Sequence, residues 1–305
     1  MGKLDNRVAI ITGAGRGIGA EVAKLFGAEG AKVVVNDLGA HLDGGGRDTS
    51  PADSIVAHIN DNGGHAVANY DDVTDYDAAE NIVRTALDTY GDLDILVNVA
   101  GNLRDKMVFN MTEEEWDSVV DVHMKGTFTT TKYASIHWRN ERKGHYRLIN
   151  FSSGSGLHGA AGQPNYAAAK LGIVGFTYSC ANALARYGVT SNAIAPGAST
   201  RMTDSVPDDR RRAASADSEV IESDHPRWPG HVAKPIAYIA SEESDWLNGR
   251  VIRAFGYRIG FYNNPTLVKE LIGQESWDLD DVFTEFERNF KPIAEGMDGL
   301  GFGGQ

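Results

Sequence analysis

The 305-residue chain is poor in cysteine, in positive charge and in long apolar segments. Its single cysteine, Cys180, has no possible disulfide partner within the chain, so we expect a reducing compartment. The net charge of −13 argues against a nucleic-acid surface, and no apolar run approaches the ~18 residues of a membrane span. A strand pattern begins at Val8, which leaves no room for a signal peptide. These absences predict a cytoplasmic protein with no nucleic-acid or membrane partner.

Glycine is abundant instead, with 35 residues, and its clearest grouping lies near the N-terminus. Residues 8–37 show a strand, a glycine-rich turn with the sequence TGAGRGIG, a helix and a second strand. Gly13 permits a sharp turn, Gly17 lets backbone N–H groups approach a pyrophosphate, and Gly19 allows close packing of the helix. The spacing is G-x-x-x-G-x-G rather than G-x-G-x-x-G. The pattern therefore predicts a dinucleotide site, but of a different branch of dinucleotide-binding proteins from the one that G-x-G-x-x-G marks.

Two charged residues disagree about which dinucleotide binds. Asp37, at the end of the second strand, suits an adenosine ribose and repels a 2′-phosphate, whereas Arg16 in the glycine turn suits that phosphate. Like charges ~4 Å apart cost about 1 kcal/mol in water and more at a lower dielectric. We expect the fixed carboxylate to outweigh a solvated arginine, which predicts NAD.

A second motif carries acid–base chemistry. Tyr166 and Lys170 stand four positions apart on a predicted helix, and Ser153 lies thirteen residues before the tyrosine, after a buried strand. A free phenol titrates near ~10, and a nearby cation favours the phenolate. We expect Lys170 to lower the pKa of Tyr166 and Ser153 to hold the substrate oxygen. A tyrosine and a lysine one turn apart are by themselves a weak signal, which the serine and the glycine turn strengthen.

Strands and helices alternate from residue 8 to Val251, which predicts an α/β fold with a Rossmann-like, doubly wound parallel sheet. We expect one domain over residues 1–255, with a lid near residues 202–229 over the substrate. Residues 256–305 form a predicted C-terminal extension that ends in a glycine-rich tail. Apolar surface on the helices around residues 116–137 and 166–187 predicts a homo-oligomer, either a dimer or a tetramer.

Together these motifs resemble the short-chain dehydrogenase/reductase family over about residues 5–255. Segments such as VVVNDLG (33–39), GQPNYAAAKLG (162–172) and NAIAPGASTRMT (192–203) are similar to hydroxyacyl-CoA dehydrogenases of that family. The resemblance implies an NAD-dependent oxidoreductase that interconverts a secondary alcohol and a ketone, and a 3-hydroxyacyl-CoA substrate. No zinc-ligand cluster appears in the sequence, so we expect no bound metal. The cofactor contacts that it implies are Gly13, Arg16, Gly17, Ile18, Gly19, Asp37, Asp72, Val73, Asn98, Ala100, Gly101, Tyr166, Lys170, Pro196, Gly197, Ala198, Thr200 and Met202.

The chain departs from the family pattern at two positions. Val99 replaces an asparagine in the turn Asn98–Gly101, where we expect the cofactor contacts to survive. His123 stands where the family usually has a catalytic asparagine, whose helix irregularity exposes a main-chain carbonyl to a water that leads to the lysine. We expect His123 to preserve that relay because the carbonyl belongs to the backbone; the alternative is a histidine that only packs.

The sequence does not decide between several classes of substrate. Arg210, Arg211 and Arg212 in the predicted lid are a solvated helix face or a site for the phosphates of coenzyme A. A hydroxysteroid or secondary alcohol dehydrogenase and a 3-oxoacyl-carrier-protein reductase are the alternatives among enzymes. A nucleotide-binding protein without turnover is the alternative of a different class, against which the Ser153, Tyr166 and Lys170 set argues.

Overall fold

Eight strands form a single sheet in the computed structural model, which describes residues 2–40, 46–198, 223–273 and 276–296. The order across the sheet is β3-β2-β1-β4-β5-β6-β7-β8. The strands are β1 (Val8–Thr12), β2 (Lys32–Asn36), β3 (His65–Asn69), β4 (Ile95–Asn98), β5 (Tyr146–Phe151), β6 (Val189–Gly197), β7 (Val251–Phe255) and β8 (Arg258–Tyr262). β1 to β7 are parallel, and β8 pairs antiparallel with β7. The predicted Rossmann-like sheet is confirmed, with one antiparallel strand that the sequence did not predict.

Helices cover both faces of the sheet, which explains why β1 and β5 are buried along their whole length. The helices are α1 (Gly17–Ala28), α2 (Ser50–Asp61), α3 (Tyr76–Tyr90), α4 (Glu113–Val120), α5 (Gly126–Glu141), α6 (Gly154–His158), α7 (Pro164–Leu184), α8 (Gly230–Ala240), α9 (Leu279–Glu285) and α10 (Lys291–Gly296). One core packs Phe26, Ile59 and Ile236 against the sheet, and a second core holds Ile82 and Trp138.

The order of the strands places a crevice at one edge of the sheet. β2 and β3 lie on one side of β1, and after β3 the chain crosses to the other side of β1 and continues with β4. The loops that follow β1 and β4 therefore lead away from each other in opposite directions along the sheet. In open α/β sheets a ligand binds outside the carboxyl ends of the strands at such a switch point. The glycine turn follows β1 and the Asn98–Gly101 turn follows β4, so both predicted motifs lie at this crevice.

The predicted C-terminal extension begins within the sheet. Its residues 256–262 form the turn and the strand β8, which is hydrogen-bonded to β7. Beyond Tyr262 large apolar side chains are exposed, including Leu267, Ile272 and Phe283. Residues 202–222 of the predicted lid, with the three arginines, lie outside the described residues, as do residues 297–305 of the glycine-rich tail. No described helix has both the length and the apolar character needed to cross a membrane.

Candidate active site

A cavity of about 590 Å³ opens at the carboxyl ends of β1, β2, β4 and β5. It passes from the glycine turn to the start of α7, so one continuous space joins the two predicted motifs. The predicted site residues that line it are Gly13, Arg16, Gly17, Ile18, Gly19, Asp37, Asp72, Val73, Ala100, Gly101, His123, Tyr166, Lys170 and Pro196.

The glycine turn is built for close approach of backbone to backbone. Gly13 and Gly17 have φ values of +62° and +56°, which favour glycine. A Cβ on Gly19 would lie 2.2 Å from the carbonyl oxygen of Gly13. Helix α1 begins at Gly17 without a side-chain cap and without an acidic residue in its first turn. Its first N–H groups, at the positive end of the helix dipole, are therefore not occupied by a capping side chain and can bind an anion. These features fit a pyrophosphate.

Asp37 is held in a fixed orientation between two loops. Its Oδ2 accepts a hydrogen bond from the Gly15 N–H at 2.7 Å, and its Oδ1 accepts one from the Gly39 N–H at 2.7 Å. Arg16 forms an ion pair of 3.5 Å with Asp48 at the protein surface. The carboxylate is therefore presented to the cavity by the backbone, while the guanidinium of Arg16 has a partner outside the nucleotide-binding turn.

Asn98 supports the wall of the cavity from behind. Its amide donates to Asn150 Oδ1 at 3.0 Å and to Thr131 Oγ1 at 3.2 Å, and its Oδ1 accepts from Thr130 Oγ1 at 2.8 Å. The next turn is fixed by Thr12, whose hydroxyl accepts the N–H groups of Val99 and Ala100 at 3.1 and 3.2 Å. The valine at position 99 takes part through its backbone, so the turn does not depend on an asparagine side chain there.

Ser153, Tyr166 and Lys170 are brought together by the end of β5 and the first turns of α7. Lys170 is 4% exposed, and its Nζ donates to the Phe151 carbonyl oxygen at 2.7 Å. The same Nζ lies 5.5 Å from the centre of the Tyr166 ring. The Ser153 hydroxyl interacts with the Tyr166 phenol and accepts the Ser155 N–H at 3.1 Å. Tyr166 and Lys170 line the cavity, whereas Ser153 does not, although its neighbour Ser152 does.

The pKa of the phenol shifts opposite to the sequence-based expectation. Burial raises the pKa of Tyr166 to about 12; the hydrogen bond with Ser153 opposes that rise, and the charge of Asp105 adds to it. Burial also lowers the pKa of Lys170 to about 7. Lys170 is not among the causes of the shift in the phenol pKa.

His123 lies in a π-helical turn, Asp121–Lys125, that joins α4 to α5. Its buried ring stands edge-on to Tyr166, with ring centres 5.1 Å apart, and its Nε2 lies 2.9 Å from the Asn102 carbonyl oxygen. Burial lowers the pKa of His123 well below 6.5, and the nearby Lys170 lowers it further. The ring is therefore neutral at physiological pH. The sequence-based expectation of a helix irregularity at this position agrees with the π turn.

Of the remaining predicted residues, Asp72 and Val73 line the cavity and the others do not or lie outside the described residues. Asp72 turns its carboxylate to Thr74, whose N–H and hydroxyl donate at 2.8 and 2.9 Å, and Val73 packs against Gly126. Gly197 and the buried Ala198 follow Pro196 but do not line the cavity. Thr200 and Met202 lie outside the described residues.

Sequence reasoning did not single out Asn102, which lines the cavity and is 3% exposed. Its backbone contacts His123, and its amide donates to Ser118 Oγ at 2.9 Å, so it joins the turn after β4 to the end of α4. The sequence signal that could have identified Asn102 is its position directly after Gly101, the last residue of the predicted turn. Arg104, Glu114 and Ser118 also line the cavity without a motif to mark them.

Comparison with known proteins places this site in a family. The sequence profile described as short chain dehydrogenase matches residues 7–211. The chain is 39% identical over 286 residues to hydroxyacyl-CoA dehydrogenase ChsB1 of Mycobacterium tuberculosis, which covers 92% of this chain and 87% of that protein. It is 45% identical over 204 residues to peroxisomal multifunctional enzyme type 2 of Mus musculus, which covers 67% of this chain and 27% of the mouse protein.

A solved structure agrees over almost the whole chain. A short chain dehydrogenase from Mycobacterium avium superposes with a TM-score of 0.79 and 39% identity, covering 96% of this chain and 95% of that one. The chain belongs to the short-chain dehydrogenase family, and it is an oxidoreductase that acts on CH–OH groups with a nicotinamide cofactor. The resemblance seen in the sequence is confirmed, including its hydroxyacyl-CoA dehydrogenase relatives.

Proposed function

We propose that this protein is an NAD-dependent dehydrogenase that interconverts a 3-hydroxyacyl-CoA and the corresponding 3-oxoacyl-CoA. The observation that carries the proposal is that Lys170 and Tyr166, with Ser153 in contact with the phenol, stand at one end of a cavity, and a glycine cradle lines its other end. The names of the mycobacterial and mouse relatives support the acyl-CoA substrate.

The roles follow from the contacts of each side chain. Ser153 would hold the substrate oxygen, because its hydroxyl already points to the phenol and its oxygen is anchored by the Ser155 N–H. Tyr166 would take the hydroxyl proton as the phenolate during oxidation and return it as the phenol during reduction. Lys170, fixed by the Phe151 carbonyl oxygen, would hold the nicotinamide ribose. When bound, the nicotinamide supplies the hydride acceptor.

The choice of NAD over NADP rests on Asp37 and Arg16. Two backbone N–H groups fix the carboxylate of Asp37 beside the glycine turn, where it would accept ribose hydroxyls and repel a 2′-phosphate. Arg16 lies by the same turn but is paired with Asp48, so a 2′-phosphate would have to compete with that carboxylate. The proposed cofactor contacts also include Ile18, Asp72, Val73, Asn98, Ala100, Gly101, Pro196, Gly197, Ala198, Thr200 and Met202.

The substrate class has alternatives that the same site would serve. A hydroxysteroid or other secondary alcohol, or a 3-oxoacyl-carrier-protein substrate, needs the same serine and tyrosine. Coenzyme A differs in its phosphates, and Arg210, Arg211 and Arg212 remain the proposed partners for them. The cytoplasmic location remains a prediction from sequence.

Self-association is also proposed, as a dimer or a tetramer. Trp116, Phe128 and Ile136 on α4 and α5 are 40%, 44% and 39% exposed, and Leu171 on α7 is 52% exposed. Large apolar side chains grouped on neighbouring helices favour burial against another subunit. Light scattering of the purified protein after size-exclusion chromatography would measure the mass of the assembly.

Steady-state oxidation assays test the proposal directly. We expect kcat/KM to be highest for a 3-hydroxyacyl-CoA, compared with free secondary alcohols and hydroxysteroids, and higher with NAD than with NADP. Tyr166→Phe should lower kcat by ~10²-fold or more while NADH binding stays intact, since only proton transfer is lost. Full turnover by this variant would contradict the mechanism, and a higher kcat/KM with a free alcohol would contradict the substrate class.

A further inference from the structure

A chain of polar side chains outside the predicted site leads from Asp105 to Ser153. The Gln163 amide nitrogen donates to Asp105 Oδ2 at 2.8 Å, and the Gln163 amide oxygen accepts from Ser155 Oγ at 2.8 Å. Because a carboxylate only accepts hydrogen bonds, the amide nitrogen has to face Asp105, which leaves the amide oxygen for Ser155. The Ser155 N–H in turn donates to Ser153 Oγ at 3.1 Å. Each contact therefore has a defined direction.

The Asp105 end of this chain is tied to the start of α7. Gln163 directly precedes that helix and stands three residues before Tyr166. The fully buried Asn165 donates to the Arg104 carbonyl oxygen at 3.0 Å and to the Glu115 carbonyl oxygen at 2.9 Å. These bonds fix the loop that carries Asp105 against the helix that carries the phenol.

The contacts also decide which way the Ser153 hydroxyl points. Its oxygen accepts the Ser155 N–H, so its own proton is left for the phenol or for a substrate oxygen. Within the described residues, three ionisable side chains act on or face the phenol: Asp105, His123 and Lys170. Asp105 is the carboxylate among them, and its charge raises the pKa of Tyr166 beyond the larger effect of burial. Burial lowers the pKa values of His123 and Lys170.

We propose that Asp105 and Gln163 are positioning residues for the reaction: Asp105 holds the amide of Gln163, and Gln163 orients Ser153 through Ser155. The proposal rests on the proposed function, because it assigns a purpose to the surroundings of the same serine and tyrosine.

Two substitutions of different chemistry test the part played by Asp105. Asp105→Leu removes the acceptor of the Gln163 amide and should lower kcat by about tenfold, because the orientation of Ser153 is lost. Asp105→Asn is the matched control, since it keeps the shape and an acceptor oxygen for that amide. Its kcat should stay close to that of the wild type.

Gln163→Met tests the orienting role directly. It keeps the length of the side chain but removes both hydrogen bonds, so kcat should fall by about tenfold. The Kd for NADH, measured by fluorescence, and the thermal unfolding midpoint should stay close to those of the wild type. An unchanged kcat in Asp105→Leu or in Gln163→Met, or an equal loss of kcat in Asp105→Asn, would overturn the inference. If Tyr166→Phe is inactive in the same assays, the proposed function stands despite that failure.

Discussion

Alanine in place of Gly19 tests whether the glycine turn depends on direct backbone contact. The new Cβ would lie 2.2 Å from the Gly13 carbonyl oxygen, far inside the distance that such atoms tolerate. The backbone of Gly13 cannot easily move away from this contact, because it is packed against the next turn: a Cβ built on Gly13 would itself lie 2.8 Å from the Ala100 Cα. The turn is therefore confined between α1 and the end of β4, and Gly19→Ala has to displace it.

The expected size of the effect follows from overpacking. Inserting a methyl group into a closely packed site costs about 1–3 kcal/mol. If cofactor binding requires the original turn, this cost appears in the affinity, where each ~1.4 kcal/mol is a factor of ten. We therefore expect the Kd for NADH to rise by about 5- to 150-fold. Fluorescence titration gives the Kd, and thermal unfolding shows how much of the cost falls on the fold itself.

A control on the same helix separates this effect from a general loss of stability. Lys24→Ala changes only the surface ion pair with Glu21, whose atoms are 2.9 Å apart. Such a pair contributes about 0.5 kcal/mol or less, and NADH binding should not change. If Gly19→Ala binds NADH as tightly as Lys24→Ala and unfolds at the wild-type temperature, the reasoning about close contact is wrong.

Two further substitutions address the cofactor and the π turn. Asp37→Ala should weaken NAD binding and reduce the discrimination against NADP, because a ribose acceptor and a phosphate-repelling charge are lost together. If the wild type prefers NADP, Arg16 rather than Asp37 determines the choice of cofactor. His123→Asn should keep kcat within about tenfold of the wild type, because the proposed relay uses the backbone of the π turn, whereas a loss of ~10²-fold would show that the imidazole takes part.

The fold was largely predictable because local patterns decide it. Continuous apolar runs such as Val33–Val35 are typical of strands buried on both faces, and the glycine turn fixes where α1 begins. The antiparallel strand β8 was not predicted, because Arg258–Tyr262 lacks a buried apolar run and three of its residues are exposed. Its place depends on pairing with β7, which is a tertiary contact rather than a property of the segment.

The site was predictable where residues lie close in sequence or follow a motif. Tyr166 and Lys170 share one helix, and Asp37 follows a strand. The partners of these residues were not predictable: Asp48 lies 32 positions from Arg16, and Gln163 lies 58 positions from Asp105. Such pairs arise only when separate loops meet at the sheet edge, and no spacing rule connects them.

Burial is the property that the sequence conveyed least well, and Lys170 offers a direct test of it. The pKa of Lys170 falls from 10.5 to about 7 on folding, because its Nζ is enclosed and its hydrogen bond is to a neutral carbonyl. Between these two values the unfolded chain holds a proton that the folded protein does not. The lysine therefore destabilises the fold most at pH 7 and below, and its contribution to the free energy of unfolding increases with pH through this window, by at most about 1.4 kcal/mol per pH unit.

Lys170→Met removes this titration. In urea unfolding of the cofactor-free protein, the wild type should gain stability relative to the variant between pH 7 and pH ~9. Tyr166 and Cys180, with pKa values raised to about 12 and about 11, do not titrate in the folded protein over this range, and their unfolded-state titration is common to both proteins. Parallel stability curves for the two proteins would show that Lys170 stays charged in the fold, and the original expectation of a phenol activated by a neighbouring ammonium would then be restored.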